Sequence, residues 1–102
     1  MRRPSFSERV LRLLKEIPRG KVTTYRLVAR RLGTNGFRAV GNALHGNSRP
    51  DEFPCYKVVR SDGRIGGYAL GTSEKIRRLE ADGVKVRGNK IAGFESILHD
   101  FR

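Results

Sequence analysis

The sequence predicts a mainly α fold with a small β-hairpin, arranged as one winged helix-turn-helix-like domain. Three observations carry that expectation. Apolar residues recur at helical spacing in the first third of the chain, and two short helical segments then follow one another across a Gly-containing turn. Further on, a β-branched run meets an Asp-Gly turn. At 102 residues and 37% hydrophobic content there is room for a single domain with one modest core.

The elements can be justified in order. Ser5 or Ser7 is suited to cap a first helix, with Glu8 in its opening turn, where a carboxylate favours the positive end of the helix dipole. Phe6, Val10, Leu13, Leu14 and Ile17 form its apolar stripe, and Pro18 and Gly20 end it. Val22-Thr23-Thr24-Tyr25 is short and β-branched. Residues 25–32 then read as a second helix with Leu27, Val28 and Leu32 inward. After the turn at residues 33–36, a third helix spans residues 37–45, small and apolar along Ala39, Val40, Ala43 and Leu44. Residues 46–54, with Pro50 and Pro54, are irregular. Residues 56–59 and 61–65 are expected to pair as the hairpin, and Gly66, Gly67 and Gly71 mark a flexible loop. Ser73 opens a last helix over residues 74–81, closed by Asp82-Gly83. Beyond it, residues 84–86 read as a strand and residues 91–101 as a strand or short helix.

Twenty-two Lys and Arg against ten Asp and Glu give a formal charge of +12. Residues 1–36 hold ten of the basic side chains and only two acidic ones. So concentrated a positive field suits a polyanion, and nucleic acid is the commonest. No apolar run approaches the roughly 20 residues that cross a bilayer, and the N-terminal segment has no apolar signal core. No membrane partner is expected, and the protein reads as cytoplasmic, DNA-associated and monomeric. One cysteine excludes an internal disulfide framework, and His45 and His99 stand apart with no ligand spacing, so no metal or cofactor is expected. A lone cysteine is commonly a buried hydrophobe. Cys55, however, is fixed by Pro54 and lies near Asn47, Tyr56 and Lys57, neighbours of the kind that favour a thiolate.

Five segments occur in order: Val22-Thr23-Thr24-Tyr25, Arg38-Ala39-Val40-Gly41-Asn42-Ala43-Leu44, Gly46-Asn47, Pro54-Cys55-Tyr56-Lys57-Val58-Val59 and Gly66-Gly67-Tyr68. Together they resemble the DNA-binding, active-site domain of the O6-alkylguanine-DNA alkyltransferases and their shorter alkyltransferase-like relatives. The resemblance makes residues 1–102 one such domain, with a core at about 5–84 and a tail at 85–102, in the length class of the alkyltransferase-like proteins. It implies that Cys55 accepts the alkyl group from guanine O6 irreversibly, in a single methyltransferase turnover. Asn47 would support the active-site turn. Arg38 would enter the duplex in place of the extruded base, with Ala39, Gly41 and Asn42 of the same segment on the DNA. Tyr25 would turn the phosphate. Tyr68 would donate toward O6, Val58 would meet the base through its backbone, and Pro50 and Leu44 would line the pocket. Tyr56 stands where the family has a His, and Asp82 where its relay Glu is expected, with Glu80 as the other candidate. The partner implied is double-stranded DNA containing O6-alkylguanine. Two alternatives stand beside this reading: a noncatalytic lesion sensor that recruits excision-repair proteins, and a winged-helix transcriptional regulator.

Overall fold

The computed structural model describes residues 3–102. Helix α1 (Phe6–Leu14) begins on Ser5, whose side chain accepts from the Glu8 N–H at 3.1 Å. Its last turn relaxes into i→i+3 bonds, with the Ile17 N–H donating to Leu14 O, because Pro18 disfavours the helical conformation at the residue before it. Strand β1 (Thr23–Thr24) leads directly into α2 (Tyr25–Arg31), capped by the Thr24 hydroxyl, which accepts from the Leu27 N–H at 3.1 Å. The inward residues of α2 are Val28 and Ala29, with Leu27 and Leu32 only half-buried. Small Ala29 lets α2 approach its neighbours, which shifts the buried face away from Leu27. Helix α3 (Phe37–His45) buries Val40, Ala43 and Leu44 against α1 and α2.

Cys55–Lys57 forms a single 3₁₀ turn that runs into β2 (Val58–Val59). Here the structure differs from the expected hairpin. β2 lies parallel to β1, with Thr23 opposite Val58 and Thr24 opposite Val59. The Asp62-Gly63 turn does form, the Arg60 N–H donating to Arg64 O, but its returning arm leaves β2. Arg64 instead bridges Lys90, and the Ile65 N–H donates to Asn89 O. The antiparallel hairpin is β3 (Val86–Arg87) with β4 (Lys90–Ile91), turning through Gly88-Asn89. The tail then makes a 3₁₀ segment at Phe94–Ile97, and Leu98 bridges Val22 in parallel, so the tail flanks β1.

Helix α4 (Thr72–Ala81) ends on Asp82 and Gly83. The Val84 N–H reaches Leu79 O and the Gly83 N–H reaches Glu80 O, the pairing of a Schellman motif, with Gly83 at φ 89°. Val58 and Val59 point to opposite faces of the strand pair, as successive strand residues must. Val58 joins the cluster of α1, α2 and α3 with Val10, Leu14, Val28 and Val40. Val59 joins a second cluster with Val22, Ile65, Leu79, Val84 and Ile91. Cys55 borders the first, at the seam between helices and strand.

Candidate active site around Cys55

Cys55 is 8% exposed and sits at the start of the 3₁₀ turn, its N–H donating to Phe53 O at 2.7 Å. Pro54 precedes it, and two prolines with an Asn build the loop that presents it. Asn47 uses its whole amide there. Nδ2 donates to Phe53 O at 2.9 Å and to Cys55 Sγ at 3.3 Å, while Oδ1 accepts from the Arg49 N–H at 2.9 Å. Asn47 thus fixes the loop and orients the sulfur with a hydrogen-bond donor.

The sulfur opens on a cavity of about 370 Å³ walled by Tyr25, Gly41, Leu44, His45, Gly67, Tyr68 and Ala69. That volume is in the range of small-ligand pockets. The Tyr68 hydroxyl is buried and makes no hydrogen bond of regular geometry among the described residues. Burial first, and then the charge on the neighbouring Cys55, raise its pKa, so the phenol stays a proton donor. Tyr25 is raised in the same way, by burial and then by Cys55, with Arg60 opposing.

Lys75 was not evident from sequence. Its side chain is 1% exposed, and Nζ donates to Val58 O at 2.9 Å and to Gly67 O at 3.1 Å. One ammonium therefore ties the strand after Cys55 to the loop that forms the opposite wall. Burial pushes its pKa down to about 8, against the charge of Cys55, which raises it. Gly66 makes room for this arrangement. It sits at φ 73°, and a Cβ there would meet Arg60 Cγ at 3.3 Å, Tyr25 Oη at 3.6 Å and Lys75 Nζ at 3.8 Å. The available signal was the i, i+4 register of Lys75 with buried Leu79, which puts it on the inward stripe of α4.

The structure thus gathers Cys55, Asn47, Tyr25, Gly41, Leu44 and Tyr68 around one cavity. The Val58 carbonyl is engaged by Lys75. Three other expected residues lie elsewhere. Pro50, Tyr56 and Asp82 line a separate cleft with Lys15, Arg19 and Arg78, on the other side of the Cys55 loop. Asp82 Oδ2 accepts from Lys57 Nζ at 2.7 Å and from the Gly20 N–H at 3.0 Å. Its carboxylate is held there because Lys57, 4% exposed, needs a counter-charge. Burial and the Asp82 charge raise the Tyr56 phenol. Arg38, Ala39 and Asn42 are exposed together on α3. Among the described residues no cluster of three metal-ligating side chains occurs.

The family model for the DNA-binding domain of 6-O-methylguanine DNA methyltransferase matches residues 5–84. The chain belongs to that family. It is 49% identical over 80 residues to a bifunctional methyltransferase/endonuclease of Picrophilus torridus, covering 78% of this chain and 27% of that protein. It is 45% identical over 83 residues to a methylated-DNA–protein-cysteine methyltransferase of Methanothermobacter thermautotrophicus, covering 81% of this chain and 47% of the relative. The chain therefore spans less than half the length of these relatives. Among solved structures it is similar to S. pombe Atl1 in complex with damaged DNA containing O6-carboxymethylguanine. There the TM-score is 0.81 at 29% identity, covering 97% of this chain and 98% of the other. It is also similar to the O6-methylguanine-DNA methyltransferase of the hyperthermophilic archaeon Pyrococcus kodakaraensis. That match has a TM-score of 0.73 at 43% identity, covering 79% and 47% of the two chains.

Proposed function

We propose that this chain is a DNA-repair alkyl acceptor that draws O6-alkylguanine out of duplex DNA and takes the alkyl group onto Cys55. A guanine within the stack hides its O6 substituent, so the base must be flipped before a thiol can reach it. Arg38, exposed at the start of α3, fills the vacated place, and the phosphate contacts of a basic surface offset the extrusion. In the cavity, Cys55 Sγ attacks the alkyl carbon. The S–C bond forms as the C–O6 bond breaks, and its electron pair passes to the base. The thiol proton ends on guanine, so the products are guanine and S-alkylcysteine, with no redox change. The Tyr68 phenol donates to O6 as charge builds there, and Lys75 ties the strand after Cys55 to the loop of the opposite wall. The observation that carries the reading is the buried Tyr68 hydroxyl, facing the Cys55 thiol beside one cavity of about 370 Å³. The protein acts inside the cell on double-stranded DNA as a monomer.

The test is intact mass after incubation with an O6-methylguanine duplex. The wild type is expected to gain one methyl group on Cys55, and Cys55→Ala none, while both bind the duplex. A second reading, a lesion sensor that hands alkylguanine to excision-repair proteins, draws on one observation. Tyr56 and Asp82 line a different cleft from Cys55, and among the described residues the sulfur's regular hydrogen bond comes from Asn47 and from neither of them. Lesion-selective binding with no adduct after long incubation would establish the sensor and reject alkyl transfer.

A further inference from the structure

Phe37 is one of two large hydrophobic side chains left well exposed among the described residues, at 43%. It occupies the first position of α3, directly before Arg38, and shares a cleft with Arg26 and Arg60. The Arg26 guanidinium lies 5.5 Å from its ring centroid, a cation–π contact that leaves the ring 43% exposed. Between Phe37 and Tyr25 runs a cleft of about 430 Å³, walled also by Arg26, Arg60, Ser61 and Asp62. The Asp62 carboxylate accepts from the Arg64 N–H at 3.0 Å and pairs with the Arg64 guanidinium at 3.7 Å, so it makes its closest pair outside the cleft while also feeling the Arg60 charge.

This cleft adjoins the Cys55 cavity, because Tyr25 walls both. Phe37, Gly41 and His45 fall on one i, i+4, i+8 row of α3, and Gly41 and His45 border the cavity. Phe37 therefore stands one turn, about 6 Å, further along the same helix edge. A strand that drops one nucleotide into the cavity carries its neighbour past this point. Two aromatic faces, guanidinium planes and a hydroxyl are the components of a base-stacking site on a phosphate-binding surface.

We propose that Phe37 and Arg26 form a second nucleobase site, on which the base flanking the extruded one unstacks from the duplex and stacks on the Phe37 ring. The inference rests on the DNA reading above and adds to it a residue that decides how the flanking nucleotide is held. It makes the wedge two residues wide, Phe37 beside Arg38.

The test is a binding cycle between protein and DNA. Wild type, Phe37→Ala and Phe37→Trp are titrated with an O6-methylguanine duplex whose flanking nucleotide, on each side in turn, is intact or abasic. Phe37→Ala is expected to weaken binding to the intact duplex about tenfold, with Phe37→Trp restoring it. On the duplex abasic at the stacked flank, the three proteins should bind alike, because no base remains to stack. Melting temperatures of the variants, expected near wild type for so exposed a position, check the fold. Equal binding of Phe37→Ala and wild type to the intact duplex would overturn the proposal. So would a loss that persists with both abasic duplexes. Repeating the series on single-stranded oligonucleotide reads Phe37 even if wild type shows no lesion preference, a result that would reject only the alkylguanine reading.

Discussion

At the scale of the residue, Lys75 carries the largest tension in the domain. An ammonium buried to 1% exposure must be compensated, and two carbonyl acceptors, Val58 O and Gly67 O, do so incompletely, which is why its pKa falls to about 8. Below that value Lys75 is protonated in both folded and unfolded chains, and the cost of burying the charge is fully present. Between about 8 and the ordinary 10.5 the unfolded chain holds a proton that the folded one has released, so stability rises with pH through this window. The gain is about 3 kcal/mol at its upper end. Urea unfolding of wild type and Lys75→Met at several pH values from 7 to 10.5 isolates it. The raised phenols of Tyr25 and Tyr68 lower stability in both proteins as the unfolded chain ionises first, and so drop out of the difference. A wild-type-minus-variant difference that stays flat across the window would show that Lys75 is not a strained cation. Cys55, Tyr25, Leu44 and Tyr68 were legible in the sequence because they lie within motifs. Lys75 was not, because a lysine in a basic chain reads as surface until its register with Leu79 is known.

At the scale of the element, helices declared themselves and strands did not. α1 and α3 each bury three turn-spaced apolar residues, and the end of α4 is written in Asp82-Gly83. Each strand has only two residues, too few for a period-2 pattern. β1 and β2 also pair across an intervening 33 residues of helix and loop, which no local signal reports. Asp62-Gly63 specifies the turn but not its partner, because β2 pairs with β1 and the returning arm goes to Asn89 and Lys90. The pairing matters because Asp82 closes the same region. Its carboxylate joins α4 to Lys57 of the 3₁₀ turn and to the Gly20 N–H before β1. Asp82→Ala leaves the Lys57 ammonium buried with only Pro18 O at 2.7 Å, and should cost about 3 kcal/mol. Adding Lys57→Met removes the orphaned charge and should recover most of that loss. Chemical denaturation of the two single variants and the double variant measures the coupling. An Asp82→Ala variant as stable as wild type would mean that the pair does not hold α4 against the Cys55–Lys57 turn.

At the scale of the whole molecule, the proposed reading divides recognition between the +12 charge and the Cys55 cavity. The cavity wall is aromatic, aliphatic, imidazole and backbone, whereas most of the described cations are exposed, eight of them within residues 3–36, with Lys57 and Lys75 the buried exceptions. Phosphate contacts release counterions from DNA and so weaken steeply with salt, as the logarithm of affinity falls by about 0.9 per contact per decade. Burying a neutral alkylguanine in an apolar cavity releases none. Affinity for undamaged duplex should therefore fall by about a thousandfold between 50 and 200 mM salt if some six phosphates are held. The ratio of affinities for O6-methylguanine duplex and undamaged duplex should stay nearly constant over the same range. Fluorescence anisotropy with both duplexes across that series reads the two quantities together. A lesion preference that collapses with salt would move recognition from the cavity onto the charged surface. A constant ratio on a steep common slope is what a scanning protein needs: a grip indifferent to sequence, with discrimination confined to the pocket where Cys55 waits.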